Sequence, residues 1–300
     1  MGPLTTSARH VFHNFCTTAV KAMSTNAMLF PKDEPKEIIL KYLDGKDNGI
    51  AVLGLNRPTV CNALGKTLVT QLTDAISSIK RDSKMRVLII RSMVPKIFCA
   101  GADLRERAVM DTTGIAEFVA SLRSMMNNIE ALPTPVISAI DGAALGGGLE
   151  LALATDIRVA ASQATMGLVE TKWAIIPGAG GTQRLPRIIG PAKAKELIYT
   201  ARLIDGEEAM KIGLINEVVQ QNKEGDAAYQ AALSIAREIL PNGPLGVKVA
   251  KTAISKGLQG TISDGLEIET QCYNEIVHSK DRVEGLAAFA AKRMPVYQGI

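Results

Sequence analysis

Runs that read as buried strands alternate with amphipathic helices from residue 37 to about residue 220, and few folds accommodate that alternation. Residues 37–43 and 50–56 spell two strands joined by the turn cluster Asp-Gly-Lys-Asp-Asn-Gly. A helix over roughly 66–81 leads to the apolar run Arg86-Val-Leu-Ile-Ile-Arg91. Ile115, Phe118, Val119, Leu122, Met125, Met126 and Ile129 then fall on one face at helical spacing. After Pro133 and Pro135, Val136-Ile-Ser-Ala-Ile140 reads as a buried strand, followed by a helix over about 147–155 and a strand over 157–161. Strands fed by helices in this order predict an α/β fold with right-handed crossovers. The last eighty residues carry no such strands, and helices of roughly 226–240, 245–257, 261–278 and 281–292 fill them. Their mixed face (Ile262, Leu266, Ile268, Glu269, Tyr273) is expected to pack against a partner subunit or fold back on its own core. We divide the chain into residues 1–32, an α/β core over 33–225 and a C-terminal helical region over 226–300.

Composition removes several classes of function. Residues 1–32 hold Arg9, Lys21 and Lys32 but no acid, so the net charge of +4 falls to +1 over the remainder. So small a balance gives no global argument for nucleic acid or membrane binding. The acid-free, Ser/Thr-containing start reads as a mitochondrial targeting segment, which places the protein in the matrix. No run approaches the ~18 apolar residues of a membrane span. Cys16, Cys61, Cys99 and Cys272 show no CxxC spacing, so no structural metal site is expected. Of the three histidines, His10 and His13 fall in the targeting segment, and His278 reads as a surface residue at a helix end. Catalysis therefore falls to carboxylates and backbone dipoles.

Two segments are suited to that chemistry: Phe98-Cys-Ala-Gly-Ala-Asp103 and Ala144-Leu-Gly-Gly-Gly-Leu-Glu150. Both look like strand ends running into helix starts, where small residues leave backbone N–H groups uncovered. Two such amides aimed at one point make an oxyanion hole. Glu150 sits one turn beyond the second, and Glu170 follows twenty residues later. The combination suggests chemistry through a stabilised enolate. Bland readings stand beside it: tight packing for Gly146–Gly148, dipole compensation for Glu150, a surface acid for Glu170. A dinucleotide loop is disfavoured, because the full GxGxxG spacing and the later ribose-binding acid are missing.

Taken with Asn56-Arg-Pro58, Asn62-Ala-Leu64, Asp141-Gly142, Asp156-Ile-Arg158, Pro177-Gly-Ala-Gly-Gly-Thr-Gln-Arg184 and Glu284-Gly-Leu-Ala-Ala-Phe289, these segments resemble the enoyl-CoA hydratase/isomerase (crotonase) family, in the right order from residue 37 to the end. The resemblance implies a crotonase-like spiral of ββα units, with a C-terminal helical oligomerisation region that holds homotrimers pairing into homohexamers. It implies Glu150 as the base on water, Glu170 as the proton donor, and the amides of Ala102 and Gly147 as the oxyanion hole. It implies that coenzyme A enters as part of an acyl-CoA substrate, with no separate cofactor and no metal. Ala100, Gly101, Ala102, Asp103, Leu104 and Arg105 resemble the segment that meets the adenine. Gly178 resembles the position whose amide helps hold the water, while Phe289 and Lys292 resemble a pair that reaches a neighbouring subunit's site. Thr59 departs from the family's usual cation.

Retention of both glutamates favours hydration over double-bond isomerisation. The expected substrate is a short or branched 2-enoyl-CoA, 3-methylglutaconyl-CoA from leucine breakdown among the candidates. Its distal carboxylate would want a cation, for which Lys172 and Arg184 are nearest in sequence. Trp173 either narrows the acyl pocket or is core, with core the simpler expectation. The resemblance also brings a rival, binding of AU-rich RNA through a Lys-rich helix. The matching stretch here, Ile79-Lys-Arg-Asp-Ser-Lys-Met-Arg86, has no aromatic side chains to stack bases and reads more simply as a solvated helix end.

Overall fold

The computed structural model describes residues 36–300, so the expected targeting segment lies outside the described residues. Strands β1 (Ile38–Tyr42) and β2 (Ile50–Leu55) form an antiparallel hairpin. Helix α1 (Lys66–Lys80) follows, burying Leu68, Leu72, Ala75, Ile76 and Ile79 at helical spacing. From there the chain winds in repeated turns. Strands β3 (Val87–Ser92), β5 (Val136–Ile140), β7 (Ile157–Ala161) and β9 (Glu217–Val219) extend the first sheet in parallel, giving the order β1-β2-β3-β5-β7-β9. The short strands β4 (Ile97–Cys99), β6 (Ala143–Leu145) and β8 (Met166–Gly167) form a second parallel sheet. Each coil thus puts one strand in each sheet before its helix, a spiral of ββα turns.

The helices between are α2 (Leu104–Ala108), α3 (Thr112–Glu130), α4 (Gly147–Leu153), α5 (Gly181–Ile189), α6 (Pro191–Thr200) and α7 (Gly206–Lys211). After them come α8 (Ala227–Ile239), α9 (Pro244–Gly257), α10 (Ile262–Val277) and α11 (Lys280–Ala290). The period of two along β3 and β5 explains why Val87–Ile90 and all of β5 except Ser138 are apolar. Leu88, Ile90, Val136 and Ile140 join the large core with α1 and α3. Val87, Ile89, Ile137 and Ala139 face the other way, against Ala228, Ala232, Leu233 and Ala236 of α8. Each fully buried Val, Leu or Ile side chain among them contributes ~1.5–3 kcal/mol.

Helix ends are fixed by local chemistry: Asp111 accepts a hydrogen bond from the Gly114 N–H, and Thr261 with Asp264 forms a capping box at the start of α10. The C-terminal helices leave Leu258, Ile262, Leu266, Tyr273 and Phe289 more than half exposed. His278 is exposed at the end of α10, as its sequence context suggests. Among the described residues, no helix is long and apolar enough to cross a membrane.

Candidate functional site

The second sheet sets the two glycine-containing segments side by side. Parallel pairing aligns Cys99 with Ala144 and Ala144 with Met166. Beyond β4 the chain bridges to Leu64, whose N–H donates to the Gly101 carbonyl at 2.7 Å and whose carbonyl accepts from the Asp103 N–H at 3.0 Å. That pairing uses the residues on either side of Ala102 and turns the Ala102 N–H the opposite way. Gly147 is the first residue of α4, where helical amides lack an intrahelical partner. The two amides lie close: a methyl group on Gly147 would sit 3.5 Å from the Ala102 nitrogen. The approach needs glycine at 101, where φ is +98° and a β-carbon would come within 2.8 Å of the Leu145 carbonyl oxygen.

Glu150, only 3% exposed, projects from the first turns of α4. Its Oε1 accepts N–H bonds from Ala179 at 2.9 Å and Gly181 at 2.7 Å. Glu170 begins a 3-10 turn (Glu170–Trp173) that Thr171 ties to α6 through the Ile198 carbonyl, at 2.7 Å. Its carboxyl lies over Gly146, where φ is +50° and a β-carbon would meet Glu170 Oε1 at 3.0 Å.

The environments of the two acids differ. Burial raises Glu150, and the amides of Gly181 and Ala179, then Arg184 and Arg123, pull it back toward the charged form. Burial first and the Glu150 charge second push Glu170 up to about 7, with Arg107 opposing. Glu170 Oε2 is buried without a protein partner. The donors sit on Glu150, so the proton of this coupled pair resides on Glu170.

The loop that carries Glu150's amide donors is braced by two arginines that sequence reasoning did not single out or placed elsewhere. Arg123 of α3 donates to the Gly178 carbonyl at 3.1 Å. Arg184, expected near a substrate carboxylate, is committed instead to Glu130 at 2.7 Å, to Asn127 and to the Ala179 carbonyl. The Gly178 residue thus contributes its carbonyl to Arg123, while its neighbours Ala179 and Gly181 face Glu150. Lys172 lies exposed on the surface of the 3-10 turn. Trp173, expected in the core, is 61% exposed. The turn is short and Thr171 faces inward, so the following side chains point to solvent.

In the Ala100–Arg105 segment, the side chain of Asp103 faces inward. It caps α2 by accepting from the Arg105 and Glu106 N–H groups and pairs with Arg57 at 2.8 Å. Arg57, of the Asn-Arg-Pro motif, also pairs with Glu37 at 2.7 Å and Glu106 at 2.9 Å, and donates to the Ala63 carbonyl at 2.8 Å. Burial works against its charge, but the three carboxylates raise its proton affinity overall. Glu106 in turn accepts from the Lys66 N–H and so caps α1 across space. Leu104 and Arg105 are exposed beside this hub. Phe289 and Lys292 lie at the end of α11, with Phe289 85% exposed. In the Asp156-Ile-Arg158 motif, Asp156 pairs with Lys251 at 2.7 Å, and Arg158 donates to the Leu214 and Thr155 carbonyls. Among the described residues, no group of three or more His, Cys, Asp or Glu could hold a metal ion.

Comparison with known proteins gives consistent matches. The family model for enoyl-CoA hydratase/isomerase matches residues 45–299. The chain is 57% identical over 263 residues to the mitochondrial methylglutaconyl-CoA hydratase of Mus musculus, covering 88% of this chain and 84% of that protein. It is 51% identical over 263 residues to the mitochondrial enoyl-CoA hydratase domain-containing protein 2 of Homo sapiens, covering 88% and 90%. An enoyl-CoA hydratase from Bacillus anthracis superposes with a TM-score of 0.84 at 45% identity, covering 88% of this chain and 100% of that one.

Proposed function

The chain belongs to the enoyl-CoA hydratase/isomerase family, and on that footing we propose that Glu150 and Glu170 add water across the double bond of a short or branched 2-enoyl-CoA. The thioester oxygen lies between the Ala102 and Gly147 N–H groups, which strengthen their hold as negative charge collects there. Glu150 takes a proton from water, and the water oxygen bonds to the β-carbon. The displaced electron pair moves onto the thioester oxygen, giving an enolate. The α-carbon then takes the proton of Glu170, so that one water is added and the two acids have exchanged protonation states. The process is redox-neutral, and coenzyme A arrives as part of the substrate.

One observation carries this reading. Glu150 is buried and held as an acceptor by two amides, and its charge acts on a half-buried Glu170 that is pushed up to about 7 and has an unpartnered buried oxygen. A base and an acid are thereby available together at neutral pH. Relatives named as methylglutaconyl-CoA hydratase support 3-methylglutaconyl-CoA as substrate, and relatives named as mitochondrial support the address read in residues 1–32. The apolar faces left open on α9 to α11 support assembly into trimers or hexamers through the C-terminal helices. Such assembly brings Phe289 and Lys292 of one subunit to the coenzyme of another.

RNA binding gains no support from residues 79–86. Within that stretch Arg86 is turned inward, donating to the Leu240 and Asn242 carbonyls at the end of α8. The test is the loss of enoyl absorbance with crotonyl-, tiglyl- and 3-methylglutaconyl-CoA. Hydration of at least one, lost by orders of magnitude in both Glu150→Gln and Glu170→Gln, is the expected result. Full activity in either variant overturns the assignment.

A further inference from the structure

Glu150 serves as a base only while it is ionised, and its burial works against that. The two amides that hold its charge belong to the loop over residues 177–181, so whatever fixes that loop also acts on the acid. The loop lies along one stripe of α3. Val119, Arg123, Asn127 and Glu130 follow one another there at helical spacing. A β-carbon on Gly178 would meet Val119 Cγ1 at 3.1 Å, so the loop backbone rests directly on the helix. Asn127 and Glu130 hold Arg184, which donates to the Ala179 carbonyl at 3.1 Å.

Arg123 stands in a different relation to the acid. Its Nη2 donates to the Gly178 carbonyl at 3.1 Å and its Nε to the same oxygen at 3.3 Å. The other end of that peptide group is the Ala179 N–H, which donates to Glu150 Oε1 at 2.9 Å. One peptide therefore joins a guanidinium to a buried carboxylate, with its oxygen toward the cation and its N–H toward the anion. Hydrogen bonds chained in this way polarise and strengthen one another. The charge of Arg184 is met by Glu130, whereas among the described residues Arg123 pairs with no carboxylate. Arg123 is itself exposed, so it is bonded to the buried acid only by way of this peptide.

We propose that Arg123 is a positioning residue that holds Glu150 ionised, and aimed for its work on water, through the peptide joining Gly178 to Ala179. This rests on the hydratase reading and adds to it the group that sets the acid limit of activity. The other charged groups acting on the pair are Arg184 from α5, Glu170 from the 3-10 turn, and Arg107 of α2, which acts on Glu170.

The test compares the full-length protein with Arg123→Gln and Arg123→Lys, in which all of those groups are kept. Hydration of crotonyl-CoA is followed as kcat/KM from about pH 5 to pH 9, where the acid limb reports protonation of the base in the free enzyme. In parallel, the infrared band of the protonated carboxyl is titrated without substrate and assigned by its loss in Glu150→Gln. Without the cation on its peptide, Glu150 takes up a proton at higher pH. In Arg123→Gln the acid limb and the carboxyl band both move up by ~0.5 pH unit, the size expected of an exposed cation. The rate is ~3-fold lower on the acid limb and returns toward wild type at the alkaline end, with Arg123→Lys in between. An acid limb and a carboxyl band that stay in place, whatever the loss of rate, mark a merely structural contact and overturn the proposal. A wild-type protein that hydrates neither crotonyl- nor 3-methylglutaconyl-CoA overturns the hydratase reading instead, and the infrared titration still decides whether Arg123 acts on Glu150.

Discussion

Replacing Glu170 with glutamine is expected to stabilise the folded protein above neutral pH while it stops hydration. Burial and the neighbouring Glu150 charge move this carboxyl from 4.5 to about 7. At ~1.4 kcal/mol per unit, the ionised form is disfavoured in the folded state by ~3 kcal/mol. Solvent at the outer part of the side chain screens some of this and leaves ~2–3 kcal/mol. The sign follows from proton counts. Between about 4.5 and about 7 the folded state keeps a proton that the unfolded chain has released, so stability falls as pH rises through that window and levels off above it. Glutamine resembles the protonated acid and carries no such cost. Urea unfolding of wild type and Glu170→Gln at one protein concentration, at steps from about pH 5 to pH 9, gives the difference directly. The variant's advantage should grow from near zero at the acid end to ~2–3 kcal/mol at the alkaline end, while its hydration rate drops ~100-fold or more. A difference that does not change with pH refutes the reasoning, because Glu170 would then not be protonated in the folded protein at neutrality.

Glu150→Gln keeps an oxygen for the Ala179 and Gly181 N–H groups, so it is expected to fold with a loss of only ~1–3 kcal/mol by thermal or urea unfolding. Its kcat on crotonyl-CoA should nonetheless fall by a factor of ~100–10,000, the usual worth of a general base. In Gly146→Ala the new methyl meets Glu170 Oε1 at 3.0 Å on a backbone with φ of +50°. We expect ~1–2 kcal/mol of destabilisation and at least a tenfold loss of kcat, read by unfolding and turnover together. Arg57→Lys retains one charge but not the fork that meets Glu37, Asp103 and Glu106. It should cost ~2–4 kcal/mol and lower kcat more than it raises KM, since the Ala102 amide rides on the same loop.

Much of the architecture was legible because the signals were long. The run Val87–Ile90 and, apart from Ser138, the run Val136–Ile140 are apolar on both faces, and the sheet does bury both. The four C-terminal helices fall within two residues of their expected bounds. The second sheet was not legible. Its strands have two or three residues, too few for a period to show, and their pairing is imposed by the coil above and below. Of the residues that the motifs single out, Gly147 lies beside the Ala102 nitrogen and the Glu170 carboxyl lies over Gly146. The cations were another matter. Proximity in sequence pointed to Arg184, whose long side chain reaches Glu130 and Asn127 on α3, fifty residues away along the chain. The role of Arg57 depends on Glu37, Asp103 and Glu106, which distant parts of the chain supply, and nothing local records that. Trp173 was misplaced because its size argues for burial, whereas the tight turn around Thr171 leaves it no interior to enter.

The shortness of β4 and β6 also sets a mechanical tolerance on the enzyme. Two rungs, Ile97 against Ala143 and Cys99 against Ala144, align these strands and keep the Ala102 and Gly147 amides level with each other. A slip by a single rung displaces one donor from its mate by ~3.3 Å, more than the whole length of the bond it must make. Insertions elsewhere in a coil merely lengthen a surface loop. An added or deleted residue between Phe98 and Ala102, or between Ala144 and Gly147, would leave a well-folded spiral whose thioester clamp no longer shuts.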